Sequence, residues 1–260
     1  GRGVDIKVPW ELSRMQHMPQ IALHYADTNN LIIKEKCQFE FRNQVLDFIS
    51  SNPPNYGVNW VCAMDVSIRM INLLTAYDIF CSNGIQFDSS FKKIFTSSMY
   101  SHAIFINKNI EMQINDRGNH YLSNLTGLLY ASIYFPQASI ANSWLSYGLQ
   151  EILKEVDYQF LEDGGNFEGS TYYHCLSSEF LIYSILAIAS VPKSRLLKIK
   201  NSPNGKLKFR KLFNPKISNK FKQYIGPKGD IIFPETFHNK ITNIRNFTLD
   251  ITKESGFIGL

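Results

Sequence analysis

The 260-residue sequence has only four cysteines, and they are widely separated. Cys37, Cys62, Cys81 and Cys175 form no CxxC pair, so neither a zinc site nor a disulfide framework is indicated. The sequence also lacks any run of about 18 apolar residues, the length that a membrane-spanning helix needs. Charged residues make up only 19% of the chain and apolar residues 44%, a balance typical of a globular protein.

Charge is unevenly distributed along the chain. Up to Ala189 there are 12 basic and 18 acidic residues, whereas from Ser190 onward there are 15 basic and 4 acidic. The basic excess lies in KSRLLKIKNSPNGKLKFRKLFNPKISNKFKQ, which we interpret first as a solvated surface segment and second as a basic rim that attracts a polyanion. No nucleic-acid recognition motif accompanies these charges, so nucleic acid is not a predicted partner.

Apolar residues recur every three or four positions over much of the chain, which is the pattern of amphipathic helices. Helices are predicted over 34–50, 59–81, 89–112, 119–135, 142–161 and 170–190, and partly over 9–28, where Pro19 interrupts the pattern. The connections are short and contain Gly, Pro, Asn or Asp. No strand pattern precedes about residue 205, so residues 1–200 are predicted to form an all-α domain of helical hairpins.

The C-terminal part has a different pattern. In NFTLDIT, Phe247, Leu249 and Ile251 alternate with polar residues, which is typical of a strand. Residues 201–260 are therefore predicted to be a basic linker followed by the first strands of a β region.

The first candidate site is DRGNHYLSN, residues 116–124. Asn119 follows Gly118 at or near a helix N-terminus, where its amide can donate to an anion that the helix dipole also favours. By itself, the simpler interpretation is that Asn119 caps the helix. The adjacent His120 is either part of the same site or a structural histidine.

The second candidate site is NFEGSTYYHC, residues 166–175, which follows a polar turn and begins a helix with Ser170 as its predicted N-cap. Tyr172, Tyr173 and His174 point about 100° apart in the first turn, so at most two of them can share a site. A tyrosine with its ordinary pKa of about 10 is a poor base, but a nearby cation or helix N-terminus lowers that pKa and allows proton transfer. The alternative is that these aromatic side chains pack between helices.

Four sequence blocks together resemble a known family. GRGVDIKVPWELSRMQHMPQIA, NWVCAMDVSIRMINLL, GNHYLSNLTGLLYASIYFP and EDGGNFEGSTYYHCLSSEFLIYSI occur in this order and are similar to heparinase II/III-type polysaccharide lyases. The resemblance covers most of residues 1–190. It implies an incomplete (α/α) toroid of helical hairpins, followed at the C-terminus by the start of an antiparallel β-sandwich.

The resemblance also implies a reaction, β-elimination in a polysaccharide that contains uronic acid. Asn119 matches the family asparagine that binds the uronate carboxylate, and Tyr173 matches the tyrosine that serves as base, acid or both. His120 and His174 match the adjacent histidines, so all four are candidate catalytic residues. A C–H bond next to a carboxylate is very weakly acidic, so such an enzyme must stabilise the charge that develops on the carboxylate oxygens.

Further residues in the matching blocks are candidates for substrate binding. Trp60, Arg69 and Glu168 are expected to have structural roles first, with lining of the substrate groove as the alternative. Tyr172 is a candidate because it neighbours Tyr173 in the second motif.

One feature of the family has no match. A further catalytic histidine is expected from the sandwich, and His238, the only histidine after His174, lies in no matching motif. We therefore expect that the chain is either a piece of a longer enzyme or catalytically incomplete. Two other functions remain open: a degenerate glycan-binding scaffold of polysaccharide biosynthesis or export, and a toroid glycoside hydrolase using Asp163 and Glu168.

The expected partner is an acidic polysaccharide, without nucleic acid and without a membrane span. No cofactor is expected from this chain, although a sandwich outside it could hold a metal. A periplasmic or secreted location follows from the expected substrate. The sequence leaves open the identity and sulfation of the uronate, endo or exo action, and the oligomeric state.

Overall fold

A computed structural model describes residues 3, 5–112, 117–202, 217–256 and 258. Over these residues the chain is helical, with isolated β-bridges but no extended strand. The helices are α1 Lys7–Ser13, α2 His17–Asp27, α3 Leu31–Ser51, α4 Ala63–Ser82, α5 Ser89–Lys108, α6 Asn119–Tyr134, α7 Ala141–Gln159, α8 Thr171–Ala189, α9 Lys193–Asn201 and α10 Glu235–Asp250. Short 3-10 turns lie at Val58–Trp60 and Asn219–Tyr224. The all-α prediction is confirmed.

The chain forms two compact units, Gly1–Asn109 and Ile110–Leu260. In the first unit, α2 packs on α3 and α4, and α5 packs on α3 and α4. Its core is a cluster of aromatic rings in which Phe41 lies 5.0 Å from Phe80 and 5.6 Å from Phe87. The domain boundary predicted at residue 200 stays a prediction.

The helix starts of the first unit follow the local sequence. Asn30 caps α3 by accepting from the backbone N–H groups of Ile32 and Ile33, and Asp88 caps α5. The predicted break in the first helical stretch exists, but it lies at Met15, which has a φ of 56°, rather than at Pro19. Pro19 lies in the first turn of α2, where a missing N–H breaks no helical bond.

The helix predicted over 59–81 begins later than expected, and Asn59 does not belong to it. It lies in a 3-10 turn, and α4 begins at Ala63 with Cys62 at the N-cap position. The Asn59 carbonyl accepts instead from the buried guanidinium of Arg69.

In the second unit, α6 packs along both α7 and α8. Gly148 on α7 lies so close to α6 that an added Cβ would fall 2.6 Å from the Leu129 side chain. Between α6 and α8, the hydroxyls of Thr126 and Ser184 are 2.9 Å apart, a buried polar contact that leaves neither hydroxyl unpaired. These contacts fix the relative positions of α6 and α8, whose N-termini carry the two motifs.

The strand predicted over 246–252 is wrong for most of that segment, because α10 continues to Asp250. Phe247 packs against the His174 ring, with centroids 4.8 Å apart, and Ile244 is buried on the same helical face. The helix also buries the ammonium of Lys240, which donates to the carbonyls of Phe160 and Leu161. Thr252 and Ile258 form one isolated bridge, and the expected β-sandwich stays a prediction.

Several residues of the basic segment bind main-chain carbonyl oxygens. Arg195 donates to Ser132 O at 2.7 Å, and Lys222 donates to Ser202 O at 2.7 Å. Lys200 donates to the carbonyl of Ile225. These contacts differ from the predicted solvated surface, since the cations hold loops and helix ends together. The middle of the segment, residues 203–216, lies outside the described residues.

Among the described residues, no single helix is long and apolar enough to cross a membrane, although the bent pair α8 and α9 meets the length and composition limits together.

Gly164 allows α10 to approach the turn after α7. Its φ is +91°, and a Cβ there would lie 2.2 Å from the Asn243 carbonyl oxygen. We expect Gly164→Ala to lower the free energy of unfolding by about 2 to 5 kcal/mol, from the left-handed backbone and from overpacking together. Gly169 is the matched control, since its φ is +69° but nothing lies within 4 Å of an added Cβ. Gly169→Ala should cost only about 1 to 2 kcal/mol. Equal losses in denaturant unfolding would contradict the proposed close packing.

His102 makes the stability of the first unit dependent on pH. Its ring is fully buried, with Nδ1 2.8 Å from Ser98 O and Nε2 accepting from Arg69 Nε, and burial beside this cation lowers its pKa to about 3. Below the ordinary histidine pKa of about 6.5 the unfolded chain binds a proton that the folded chain excludes, so stability falls by up to about 1.4 kcal/mol per pH unit. The variant His102→Gln should lose this dependence between pH 6.5 and 4, whereas the exposed control His24→Gln should keep it. Identical slopes in both variants would show that His102 is not the cause.

Candidate functional site

The N-termini of α6 and α8 meet at one polar pocket in the second unit. The pocket has a volume of about 660 Å³ and is lined by Ile110, Glu111, Met112, Gly118, Asn119, His120, Phe167, Glu168 and Tyr173. The structure therefore brings together Asn119, His120, Glu168 and Tyr173, which the two motifs supplied separately. Their catalytic and binding roles stay predictions.

The pocket holds a carboxylate at the start of α6. Glu168 Oε1 accepts from the backbone N–H of Asn119 at 3.0 Å and from its Nδ2 at 2.8 Å, and Glu168 Oε2 lies 2.9 Å from the same Nδ2. A free N–H at a helix N-terminus and a side-chain amide are both good donors to an anion. This corner of the pocket is therefore a carboxylate-binding position, and in this structure it is filled by Glu168.

Asn119 does not cap its helix, contrary to the simpler interpretation of its motif. The N-cap residue is Gly118, which has no side chain, and Asn119 is the first residue of α6. The Asn119 side chain is 5% exposed and turns toward Glu168 instead. The N-terminus of α6 thus obtains its anionic partner from a distant part of the chain.

A tight turn after α7 presents Glu168. Phe160 and Asn166 form an antiparallel bridge, and the backbone N–H of Phe167 donates to Gln159 O at 2.9 Å. The Asn166 side chain then accepts from the backbone N–H of Glu168 at 3.0 Å. This turn fixes the backbone of Glu168, so its carboxylate points at α6.

The two other polar groups of the pocket are more accessible. His120 is exposed, and its Nδ1 lies 3.2 Å from Glu111 Oε1. Tyr173 is 41% exposed, and its ring packs edge-on against Tyr172 at 5.6 Å. As predicted, Ser170 is the N-cap of this helix, with its hydroxyl facing the Tyr173 N–H. An imidazole and a phenol beside a carboxylate-binding position are groups suited to moving a proton.

The structure does not bring Tyr172 or His174 into the lining of this pocket. Tyr172 is more exposed than Tyr173 and packs on its neighbour's ring. His174 is 1% exposed, with its Nε2 2.8 Å from the Thr248 hydroxyl and its ring against Phe247. Burial lowers the pKa of His174, which favours the neutral ring. This histidine connects α8 to α10, and its predicted catalytic role stays a prediction.

Trp60 and Arg69, the alternative groove-lining residues of the first unit, are both core residues. The Trp60 ring packs on His102 and donates its indole N–H to Asn52 O. Arg69 is fully buried, donates to Asn59 O at 2.9 Å and to Ser13 O at 3.2 Å, and has its pKa lowered to about 9 by burial. Both side chains are buried in this structure, and their predicted role in substrate binding stays a prediction.

Sequence reasoning missed the polar groups beneath the pocket. Arg117 precedes the N-cap residue of α6. Glu155 and Gln159 lie one turn apart on α7, where Glu155 pairs with Arg117 and Gln159 donates to the carbonyl of Gly118. In the sequence these three residues look like ordinary parts of an amphipathic helix and a loop, so no site role was predicted for them. The available signal was that Glu155 and Gln159 stand four residues apart on a helix that is otherwise largely buried.

The pocket geometry explains why a glycine precedes Asn119. A Cβ at Gly118 would lie 3.1 Å from Glu168 Oε1. We expect Gly118→Ala to push the carboxylate away from the Asn119 donors and to lower the free energy of unfolding by about 1 to 3 kcal/mol. Glu168→Ala should cost a similar amount, and the double variant should cost less than the sum of the two single losses, because both remove the same contact. Glu162→Ala, on a fully exposed side chain, is the control. Strict additivity in denaturant unfolding would contradict this explanation.

Comparisons with known proteins give the same family as the motifs. A family profile described as Heparinase II/III N-terminus matches residues 3–198. Heparin-sulfate lyases from Bacteroides stercoris and Pedobacter heparinus are 25% and 27% identical over 65% and 68% of this chain, which spans 27% and 26% of their lengths.

Solved structures share the fold. A crystal structure of heparan sulfate lyase HepC from Pedobacter heparinus matches with a TM-score of 0.57 and 20% identity, over 99% of this chain and 34% of that one. A crystal structure of heparinase III matches with a TM-score of 0.61 and 18% identity, over 93% of this chain and 30% of that one. The predicted helical toroid class is confirmed by this likeness. The profile match covers most of the sequence, and the chain belongs to the heparinase II/III N-terminus family.

Proposed function

We propose that this chain is the helical part of a polysaccharide lyase that cleaves a uronic-acid-containing polymer by β-elimination. The observation that carries the proposal is the carboxylate of Glu168 on the Asn119 donors, with Tyr173 and His120 in the same pocket. Support also comes from the similarity of the chain to heparin-sulfate lyases.

In the proposed reaction, the uronate carboxylate of the substrate takes the position at Asn119. A base removes the proton from C5, the electron pair forms the C4–C5 double bond, and the C4–O bond breaks. The leaving oxygen takes a proton from an acid. Negative charge builds on the substrate carboxylate as the proton leaves, so donors already aimed at that position stabilise the transition state more than the ground state.

Tyr173 is the proposed acid and base, with His120 as a second proton-transfer group. The phenol lies at the opening of the pocket, whereas the Asn119 amide lies at its buried end. A substrate acid bound at Asn119 would therefore place its sugar ring toward Tyr173. Both groups must come within hydrogen-bond distance of the moving proton for this assignment to hold.

Glu168 must move or share its donors when the substrate binds. Two carboxylates cannot accept from the same two amide hydrogens without mutual repulsion. We propose that the side chain of Glu168 rotates away from the Asn119 donors when a uronate binds. Before the substrate binds, the Glu168 carboxylate keeps the side chain of Asn119 in its binding orientation.

The hydrolase alternative has less support from the site. Glycoside hydrolysis needs two carboxyl groups that face one bond. Glu168 is held by Asn119, whereas Asp163 Oδ1 accepts from the backbone N–H of Gly165 at 2.9 Å within its own turn. Asp163 does not line the pocket described above.

The remaining parts of the proposal concern the whole protein. An acidic polysaccharide as the substrate favours a periplasmic or secreted location. The elimination exchanges no electrons with another molecule, so the proposal includes no redox cofactor. A further histidine, and a metal if one is used, would come from a sandwich domain outside this chain.

The test uses the full-length protein that contains this chain, with a sulfated glycosaminoglycan and an unsulfated polyuronate as substrates. Ultraviolet absorbance of the unsaturated sugar should rise with the wild type. Asn119→Ala should lower kcat/KM by about 10²- to 10³-fold, because it removes a donor to the developing charge. Tyr173→Phe should lower it by about 10²- to 10⁴-fold, because it removes the proton-transfer group.

Tyr224→Phe is the matched control, because Tyr224 lines a different pocket of the same unit and should retain activity. New reducing ends without unsaturation would favour the hydrolase, and binding without turnover would favour a glycan-binding scaffold. Either result would overturn the lyase proposal.

A further inference from the structure

A fully buried carboxylate lies beneath the candidate pocket. Glu155 on α7 has a side-chain exposure of 0% and pairs with Arg117 Nη1 through Oε1 at 3.1 Å. Its Oε2 accepts from Gln159 Nε2 at 2.9 Å. Arg117 is held from its other side, since its guanidinium lies 4.4 Å above the Tyr158 ring. One oxygen of Glu155 therefore accepts a hydrogen bond and the other lies at ion-pair distance from a guanidinium, an arrangement that suits a carboxylate better than an amide, which has only one oxygen.

The two partners of Glu155 hold both sides of the contact between Asn119 and Glu168. Gln159 Nε2 also donates to the carbonyl of Gly118 at 3.1 Å, the residue directly before Asn119. The main-chain carbonyl of Gln159 accepts from Phe167 N–H at 2.9 Å, the residue directly before Glu168. Arg117 in turn precedes Gly118. One buried cluster thus fixes the two backbone segments that carry the donor and the acceptor.

The charge of Glu155 responds to pH near neutrality. Burial is the main cause that raises its pKa to about 7, with a smaller rise from Glu151, while Gln159, Arg117 and Lys154 oppose the rise. The other titratable groups that face it are the buried hydroxyls of Tyr121 and Tyr147, whose pKa values are themselves raised. Glu155 is therefore ionised mainly above pH 7, and protonation removes the charge that pairs with Arg117.

We propose that Glu155 is a positioning residue that orients Asn119 and Glu168 by holding Arg117 and Gln159 in place. When Glu155 is ionised, Arg117 and Gln159 are both anchored, and the start of α6 keeps its donors directed at the carboxylate position. When Glu155 is protonated, the anchor of Arg117 weakens and the first turn of α6 loosens. Only the expected effect on catalysis rests on the proposed function, because the contacts that orient Asn119 and Glu168 are present without a substrate.

The backbone N–H of Asn119 is a direct reporter of this geometry. The first N–H groups of a helix have no helical acceptor and normally exchange quickly with solvent. Here that N–H donates to Glu168 Oε1, so its protection from hydrogen exchange depends on the contact. The measurement is the amide protection factor by NMR on this chain between pH 5.5 and 8.5, corrected for the intrinsic pH dependence of exchange.

In the wild type, we expect the protection of Asn119 to rise with pH, with a midpoint near the Glu155 pKa of about 7. Glu155→Gln should abolish the rise and lower the protection at pH 8 at least about tenfold, since an amide can accept from only one of the two partners. Glu151→Gln is the matched control, a buried acid one turn earlier on the same helix. It should keep the rise but move its midpoint to lower pH, because a like charge has been removed.

Arg117→Met provides an independent variant in case Glu155→Gln does not fold, since Arg117 is partly exposed. It should lower the Asn119 protection at pH 8, and Arg117→Lys should restore part of it. An unchanged protection and an unchanged pH profile in folded Glu155→Gln, or in Arg117→Met, would overturn the proposal.

The consequence for catalysis is measured separately in the full-length protein. Glu155→Gln should lower kcat/KM at pH 8 by about tenfold or more through kcat rather than KM, because a misplaced donor weakens transition-state contacts. The acidic limb of the wild-type pH profile near pH 7 should be absent from this variant. If the wild type shows no lyase activity but the amide protection of Asn119 rises with pH as expected, the positioning role of Glu155 is supported and the proposed function fails. If lyase activity is present but the amide protection of Asn119 does not rise with pH, only the positioning proposal fails.

Discussion

The candidate site depends on the contact between one carboxylate and the first turn of α6. Glu168 satisfies the N–H of Asn119 and its side-chain amide at once, and these donors would otherwise be buried without partners. The turn after α7, the absence of a side chain at Gly118 and the pairing of α6 with α8 all serve to bring these groups together. The position proposed for a substrate carboxylate is thus already occupied by the carboxylate of Glu168.

This arrangement involves a compromise between stability and orientation. A buried carboxyl group such as Glu155 opposes folding when it is ionised, because its pKa is raised above the value in the unfolded chain. The same ionised group makes the strongest contacts with Arg117 and Gln159. The contribution of Glu155 to the free energy of unfolding therefore falls as pH rises from about 4.5 to 7. The proposed ordering of the first turn of α6 is centred near pH 7, where Glu155 becomes ionised in the folded chain. Such opposing effects are common where a polar group is kept for a site rather than for the core.

The sequence pattern predicted most of the helices. It failed where tertiary contacts determine the secondary structure of a segment or the partners of a side chain. Asn119 and Tyr173 were found because short motifs at helix starts have a physical meaning that survives without coordinates. Phe247 and Ile251 looked like one face of a strand, but burial of Phe247 against His174 belongs to a helical face. Arg69 was expected to have a structural role first, but its hydrogen bonds to His102, Ser13 and Asn59 could not be read from the sequence. The contacts of Glu155 with Arg117 and Gln159 likewise could not be predicted from the sequence, because the contact with Arg117 joins two separate segments of the chain.

The cations of the C-terminal segment have a consequence for how the protein responds to its medium. Arg195, Lys200 and Lys222 each donate to main-chain carbonyl oxygens. Dissolved ions screen attraction between separated charges over about 8 Å at physiological ionic strength, but they weaken short, partly buried hydrogen bonds much less. These hydrogen bonds should therefore persist at high salt concentration and keep holding loops and helix ends together. Because a carbonyl group carries no net charge, each of these side chains also keeps its positive charge.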